Sequence, residues 1–223
     1  MNTEQETRAN IERILKELDG RAALLAATKT VPAGRIRFAV SCGVGIIGEN
    51  RVDELLRKYE EIRDLPAEIH FIGHLQTNKV RKIIDKVSMI HSLDSVPLAL
   101  EIEKQAAKRG IRMPVLVEVN LGNEETKSGL PAGEVKSFLR EIGPLEHLIP
   151  SGLMAVPPKV DRPEQNSELF TKIYQLFIDI GRENEDNKEW KVLSLGMSGD
   201  YLFAVENGSN LVRIGSAIFG ART

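Results

Sequence analysis

The sequence predicts an α/β fold: a single (β/α)8 TIM barrel over residues 1–223 with an extra N-terminal helix. Three observations predict it. Eight short apolar runs alternate with amphipathic stretches, no linker or low-complexity segment breaks the rhythm, and 223 residues fit one large α/β or all-β domain, or two small ones. A doubly wound sheet accounts for eight such repeats less well.

The elements follow in order. Ile11, Ile14, Leu15 and Leu18 recur at helical spacing after a polar start, so the first nineteen residues read as an amphipathic helix ended by Asp19-Gly20. AALLAAT (22–28) is a continuous apolar run of the kind a strand buried on both faces carries, and Lys29 stands at its C-terminal end. A helix near 32–41, a strand at GIIGE (45–49), a helix over 50–62, a strand at EIHFIG (68–73) and a helix at 77–84 come next. SMIHSL (88–93) reads as a strand, 95–110 as a helix closed by glycine, and MPVLVEVN (113–120) as a strong strand. After a helix at 131–142 the pattern predicts a strand at SGLMAV (151–156) and a long helix from Pro163 to Glu183, with Leu169, Ile173, Leu176, Phe177 and Ile180 as its core stripe. A strand at WKVLSLG (190–196), a short helix at 199–207 and a last strand at LVRIG (211–215) complete the eight.

Composition removes several function classes. The chain is 42% hydrophobic and 28% charged, with 30 Lys and Arg against 32 Asp and Glu, the profile of a soluble globular protein. No apolar run approaches the ~20 residues of a membrane span, and the polar, acidic N-terminus lacks the build of a secretory signal, so a cytoplasmic location without membrane contact is expected. The single cysteine, Cys42, reads as structural, and no CxxC or HExxH spacing offers a metal site. With 5% aromatics and a formal charge of −2 there is no surface for nucleic acid; Lys79, Arg81, Lys82 and Lys86 read as a solvated helix face.

Gly43-Val-Gly45-Ile-Ile-Gly48 spells the dinucleotide fingerprint, and RIRFAV before it alternates like a strand. The fingerprint also needs an acidic residue at the end of the following strand, whereas EIHFIG carries Glu68 at its start. The barrel instead makes Gly43 a helix C-cap and Ile46-Ile47 buried strand.

SLGMSGD (194–200) and RIGSAIFG (213–220) each place glycine and serine between a strand and a short helix, in the loops after the seventh and eighth strands. Barrel enzymes commonly bind phosphate there, because glycine allows close backbone approach and a helix start offers free N–H groups. Ser198, Gly199, Gly215 and Ser216 are the candidates; the same residues also suit plain barrel-closing turns. Lys29, emerging from an apolar wall at the same end, is a candidate Schiff-base lysine or else a solvated strand-end lysine. Lysine and phosphate cradle together suit pyridoxal phosphate, which offers an aldehyde and a phosphate. Arg213, inside the last strand, points into the mouth by strand alternation or pairs with a carboxylate such as Glu118. Facing a pyridine nitrogen, it would leave that nitrogen unprotonated and weaken the ring as an electron sink. His70 and His74 are separated by Gly73 and read as hydrogen-bonded barrel residues, not a metal pair.

AATKT (26–30), GENRVDE (48–54), HFIGHLQTNK (70–79), TKSG (126–129), GLMAV (152–156), LSLGMSGD (193–200) and LVRIGSAIFG (211–220) together resemble the pyridoxal phosphate homeostasis protein family. That family shares the alanine racemase barrel, fold type III among pyridoxal phosphate proteins. The resemblance implies that Lys29 holds the cofactor as an aldimine, that Ser198, Gly215 and Ser216 bind its phosphate, and that Arg213 faces the pyridine nitrogen. It further implies that Asn50, His70 and Met154 line the ring, and that Lys127 is a second lysine with a role in handing the cofactor on. Some relatives carry another lysine where this chain has Val31, and many have threonine at Ser216.

A racemase needs acid/base groups on both faces of the substrate carbon. Tyr59 and Tyr174 fall mid-helix and only Tyr201 lies beside the phosphate loop, so the expectation is a monomeric carrier that stores, buffers or delivers pyridoxal phosphate, with transient contacts to apoenzymes and no catalytic residue. The rivals are an amino-acid racemase and a barrel enzyme for a sugar phosphate.

Overall fold

A computed structural model describes residues 1–122, 128–158, 160–183 and 187–221. The first half runs α1 (Glu4–Leu18), β1 (Ala23–Ala27), α2 (Ala33–Ser41), β2 (Ile46–Glu49), α3 (Val52–Ile62), β3 (Glu68–Phe71), α4 (Val80–Ile83), β4 (Met89–Leu93) and α5 (Val96–Ala107). The second half runs β5 (Met113–Asn120), β6 (Leu130–Pro131), α6 (Val135–Ile142), β7 (Leu148–Ala155), α7 (Ser167–Glu183), β8 (Val192–Ser194), α8 (Tyr201–Glu206), β9 (Leu211–Ile214) and α9 (Ser216–Phe219).

Every strand pairing is parallel. The order β4-β3-β2-β1-β9-β8-β7-β5 closes on itself through a β4–β5 pairing, which gives the eight-stranded (β/α)8 barrel the alternation predicts. β6 is a two-residue strand on the C-terminal end of β5, outside the ring. Closure leaves the eight-stranded ring without an edge, as parallel strands covered by helices allow.

The two faces bury different side chains. Outward, Ile47, Phe71, Ile90, Val117, Leu153, Leu193 and Val212 pack against the helices in one large apolar cluster. Inward, the register carries one face from Glu118 to Met154 to Ser194, and from Arg213 to Leu25. The barrel axis is thus lined partly by polar groups.

α1 starts at a capping box between Thr3 and Glu6, ends on Asp19 at φ +48°, and buries Thr7, Ile11, Ile14 and Leu18. Leu15, expected on that stripe, is 36% exposed, and Thr7 completes it one turn earlier. RIRFAV is helical, within α2, and Gly43 follows the capping residue Cys42 at φ +103°, so the glycine triplet ends a helix and opens β2 without a dinucleotide turn. β7 begins three residues before the expected Ser151. Pro150 looks like a boundary in sequence, but a register shift opposite Val115 and Leu116 admits it to the strand. Residues 131–134 form the end of β6 and a 3₁₀ turn, so the helix expected from 131 begins at Val135. In α7 Phe170 is buried with Ile173 and Ile180, while Leu169 is half-buried at the flank.

Candidate functional site

The C-terminal ends of β1 and β9 are neighbours, and that adjacency builds the site. Alternation along β1 puts Leu25, Ala27 and Lys29 on one face. Leu25 looks inward, since a Cβ on Gly48 would lie 2.3 Å from its Cδ2. Half-buried Lys29 lines one cavity with Ala27, Thr30, Val31, Gly215, Ser216 and Phe219. The sequence-predicted amine and two of the predicted phosphate-loop residues therefore meet.

Ser198 completes the loop. Its Oγ accepts the N–H groups of Gly215 (3.2 Å) and Ala217 (3.1 Å), so two backbone donors converge on one oxygen at the start of α9. A convergent donor pair of this kind suits an anion's oxygen, and the Ser198 and Ser216 hydroxyls add to the set. The loop is set by Gly196 at φ +88°, where a Cβ would come within 2.6 Å of Ala204 Cβ. Gly199 lies instead on an adjoining groove of about 470 Å³ with Val156, Pro157, Met197 and Asp200.

Below this loop Arg213 is 5% exposed. Its guanidinium donates to Ser194 O (2.7 Å), Ser194 Oγ (2.7 Å) and Ala155 O (2.9 Å), which aims it across the barrel. Burial lowers its pKa to about 10, against the favourable charge of Glu118 and Asp200, and it stays cationic at neutral pH. Arg213 is thus inward-facing, with Glu118 near enough to be felt. Burial, then the charge of Asp94, pushes the Glu118 carboxyl up to about 7 against the pull of Arg213. Met154, 1% exposed, stands in register between Glu118 and Ser194.

His70 belongs to the other end of the axis. Its Nδ1 bonds His91 Nε2 at 3.0 Å and its Nε2 bonds Glu68 at 2.9 Å, and it lines a cavity with Gly20, Arg21, Met89 and Lys191. It does not share the Lys29 cavity. Burial, then the charges of His70 and Arg213, holds His91 well below the usual imidazole range, and its Nδ1 has no hydrogen-bond partner among the described residues. His74, expected in the barrel, is an exposed residue after β3, 3.7 Å from Asp94. Asn50 follows β2, and its backbone leaves no room for a side chain at Gly73, where a Cβ would lie 2.1 Å from Asn50 O.

Tyr201 is turned away: its hydroxyl donates to Glu17 and accepts from Arg13 at 3.2 Å, both on α1. Lys127 lies outside the described residues. Cys42 is half-buried against the core, and Lys79 and Lys86 pair with Asp53 and Asp85 on the surface. Sequence reasoning missed a buried set behind Lys29, made of Thr28, Glu49, Glu54 and Lys58. Its one visible signal is the Glu54/Lys58 pair at i,i+4, which resembles any exposed helix pair. Among the described residues no His, Cys, Asp and Glu grouping could hold a metal ion, and no helix is long and apolar enough to cross a membrane.

A family model described as alanine racemase, N-terminal domain, matches residues 3–223. The chain is 45% identical over 218 residues to the pyridoxal phosphate homeostasis protein of Aquifex aeolicus, covering 95% of each. It is 36% identical over 201 residues to the protein of that name from Haemophilus influenzae, covering 89% of this chain and 84% of the other. Among solved structures it resembles PipY of Synechococcus elongatus with pyridoxal phosphate bound, at TM-score 0.88 and 29% identity over 96% of this chain and 100% of that one. Alanine racemase of Clostridium difficile, at TM-score 0.79 and 16% identity, shares the fold over 98% of this chain and 57% of its own.

Proposed function

The chain belongs to the pyridoxal phosphate homeostasis protein family, built on the alanine racemase N-terminal domain, and from that premise we propose that it binds pyridoxal phosphate at the C-terminal mouth of its barrel and holds it for storage, buffering or delivery. The observation that carries this reading is the cavity shared by Lys29, Gly215 and Ser216, beside two N–H groups that converge on Ser198 Oγ.

The residues fit the group. When bound, pyridoxal phosphate supplies an electrophilic aldehyde carbon conjugated to an electron-poor ring. Lys29 is the covalent anchor, and Ser198, Gly215 and Ser216 hold the phosphate through hydroxyls and backbone N–H groups. Arg213, cationic and held by Ser194 and Ala155, would be the group to meet the pyridine nitrogen and would leave it unprotonated. Met154 and Asn50 line the ring. His70, tied to His91 and Glu68 at the other end of the axis, is left out of the ring's surroundings, and Gly199 borders the entrance.

A carrier needs no second acid/base group, and Tyr201, the tyrosine beside the phosphate loop, has its phenol engaged by Glu17 and Arg13. Little or no turnover follows from this reading. The same reading takes the chain as one cytoplasmic, monomeric domain, with Lys127 helping to hand the cofactor to apoenzymes.

The test is the visible spectrum of the purified protein with pyridoxal phosphate, before and after borohydride, followed by peptide mapping. A reducible band with the label on Lys29 is expected. No band, or a label on another lysine, would sink the assignment and leave the sugar-phosphate barrel. Stereochemical scrambling of added amino acids, with solvent deuterium entering Cα, would instead support a racemase.

A further inference from the structure

The turn that carries Lys29 is gripped from outside the barrel. Lys58, on α3, donates from Nζ to Thr28 O (2.9 Å), Glu49 Oε1 (3.0 Å) and Glu54 Oε1 (2.7 Å). The Thr28 hydroxyl bonds Glu49 Oε1 at 2.6 Å, and the Thr30 N–H donates to Glu54 Oε1. Both chain neighbours of Lys29 are therefore tied to one ammonium and its two carboxylates, while Lys29 itself is left to line the cavity.

The burial of this set is unusual for its charge. Thr28 and Glu49 are 0% exposed and Glu54 is 6% exposed. Buried ion pairs add little net stability over apolar packing, so stability alone does not account for one here. The backbone does. Thr30 sits at φ +64°, in the left-handed region that a β-branched residue disfavours. Thr30 N–H is held by Glu54, and the Val31 N–H closes the turn on Thr28 O at 2.9 Å. Burial pushes the Glu54 carboxyl up, but the hydrogen bonds from Lys58 and Thr30 outweigh it and hold the group below its ordinary range, as the acceptor role requires.

We propose that Glu54 and Lys58 are positioning residues for Lys29: they hold Thr30 in its left-handed conformation, and that conformation presents the Lys29 amine to the cavity. The proposal rests on the reading of Lys29 as the cofactor anchor.

The experiment adds pyridoxal phosphate to the cofactor-free full chain. It follows the rate of the borohydride-reducible absorbance, the fraction of label on Lys29, and the thermal midpoint. Glu54→Ala should slow attachment by about tenfold or more, the order set by left-handed strain at a non-glycine residue. Adding Thr30→Gly should restore most of the rate, because glycine adopts that φ without the grip of Glu54. A purely structural role for Glu54 would show no such rescue. Should Glu54→Ala fail to yield folded protein, Lys58→Met with and without Thr30→Gly makes the same comparison. Attachment at the parent rate in the single variant, or a loss that Thr30→Gly leaves in place, overturns the proposal. A parent chain that never labels at Lys29 overturns the cofactor reading, and this inference with it.

Discussion

Arg213 spreads one charge over acceptors on two strands, Ser194 on β8 and Ala155 on β7. A planar fork reaches both, whereas a lysine ammonium is a point donor. Arg213→Lys should therefore strand at least one buried acceptor and cost about 2 kcal/mol, read by denaturant unfolding of the cofactor-free chain. An unchanged midpoint would show that the lysine reaches both sites. Ser198 makes a different kind of contact. Its Oγ caps the N–H groups of Gly215 and Ala217, so Ser198→Ala should cost about 1 kcal/mol, as lost helix caps do. On the phosphate reading it should also weaken binding of pyridoxal phosphate by about tenfold, a single charge-assisted hydrogen bond, while leaving pyridoxal unaffected. Equal losses for both ligands would remove Ser198 from the phosphate site.

At the scale of elements, most of the barrel was legible because its signals are local. Apolar runs such as AALLAAT, the glycine after α2 and the amphipathic stripe of α1 each report on a few neighbouring residues. The misread start of β7 falls where a distant strand decides. Pro150 lies inside β7 only because β5 shifts register beside it, and no pattern within β7 announces that. Gly152, two residues on, shows how tightly the shifted strand is held: its φ is +148° and a Cβ would lie 1.7 Å from Val192 O. Gly152→Ala must push β8 away from β7, the seam that carries Ser194 to Arg213. We expect a loss of about 3 kcal/mol or more, seen as a lowered thermal midpoint or as insoluble protein. A variant as stable as the parent would mean that the β7–β8 seam yields easily.

At the scale of the whole molecule, the site divides along the same line. Lys29, Gly215 and Ser216 could be read because strand ends and Gly-Ser loops mark the mouth of a barrel wherever they occur. Glu118 could be named as a carboxylate beside Arg213, but its ionisation could not be read, since it depends on how deeply the inner face buries it and on Asp94 after β4. There burial, then the charge of Asp94, raises its pKa to about 7 from the ordinary 4.5, with Arg213 opposing. Between those two values the folded chain keeps a proton that the unfolded chain has released, so the stability this group contributes is present at acid pH and is lost as pH rises through about 7. Glutamine has the same shape and no proton to lose. The difference in stability between Glu118→Gln and the parent should thus grow in favour of the variant from about pH 5 to about pH 8, reaching roughly 1–3 kcal/mol. Parallel curves across that range would show that Arg213 holds Glu118 ionised throughout. The inner wall would then carry a permanent ion pair beneath the barrel mouth in place of a titrating carboxyl.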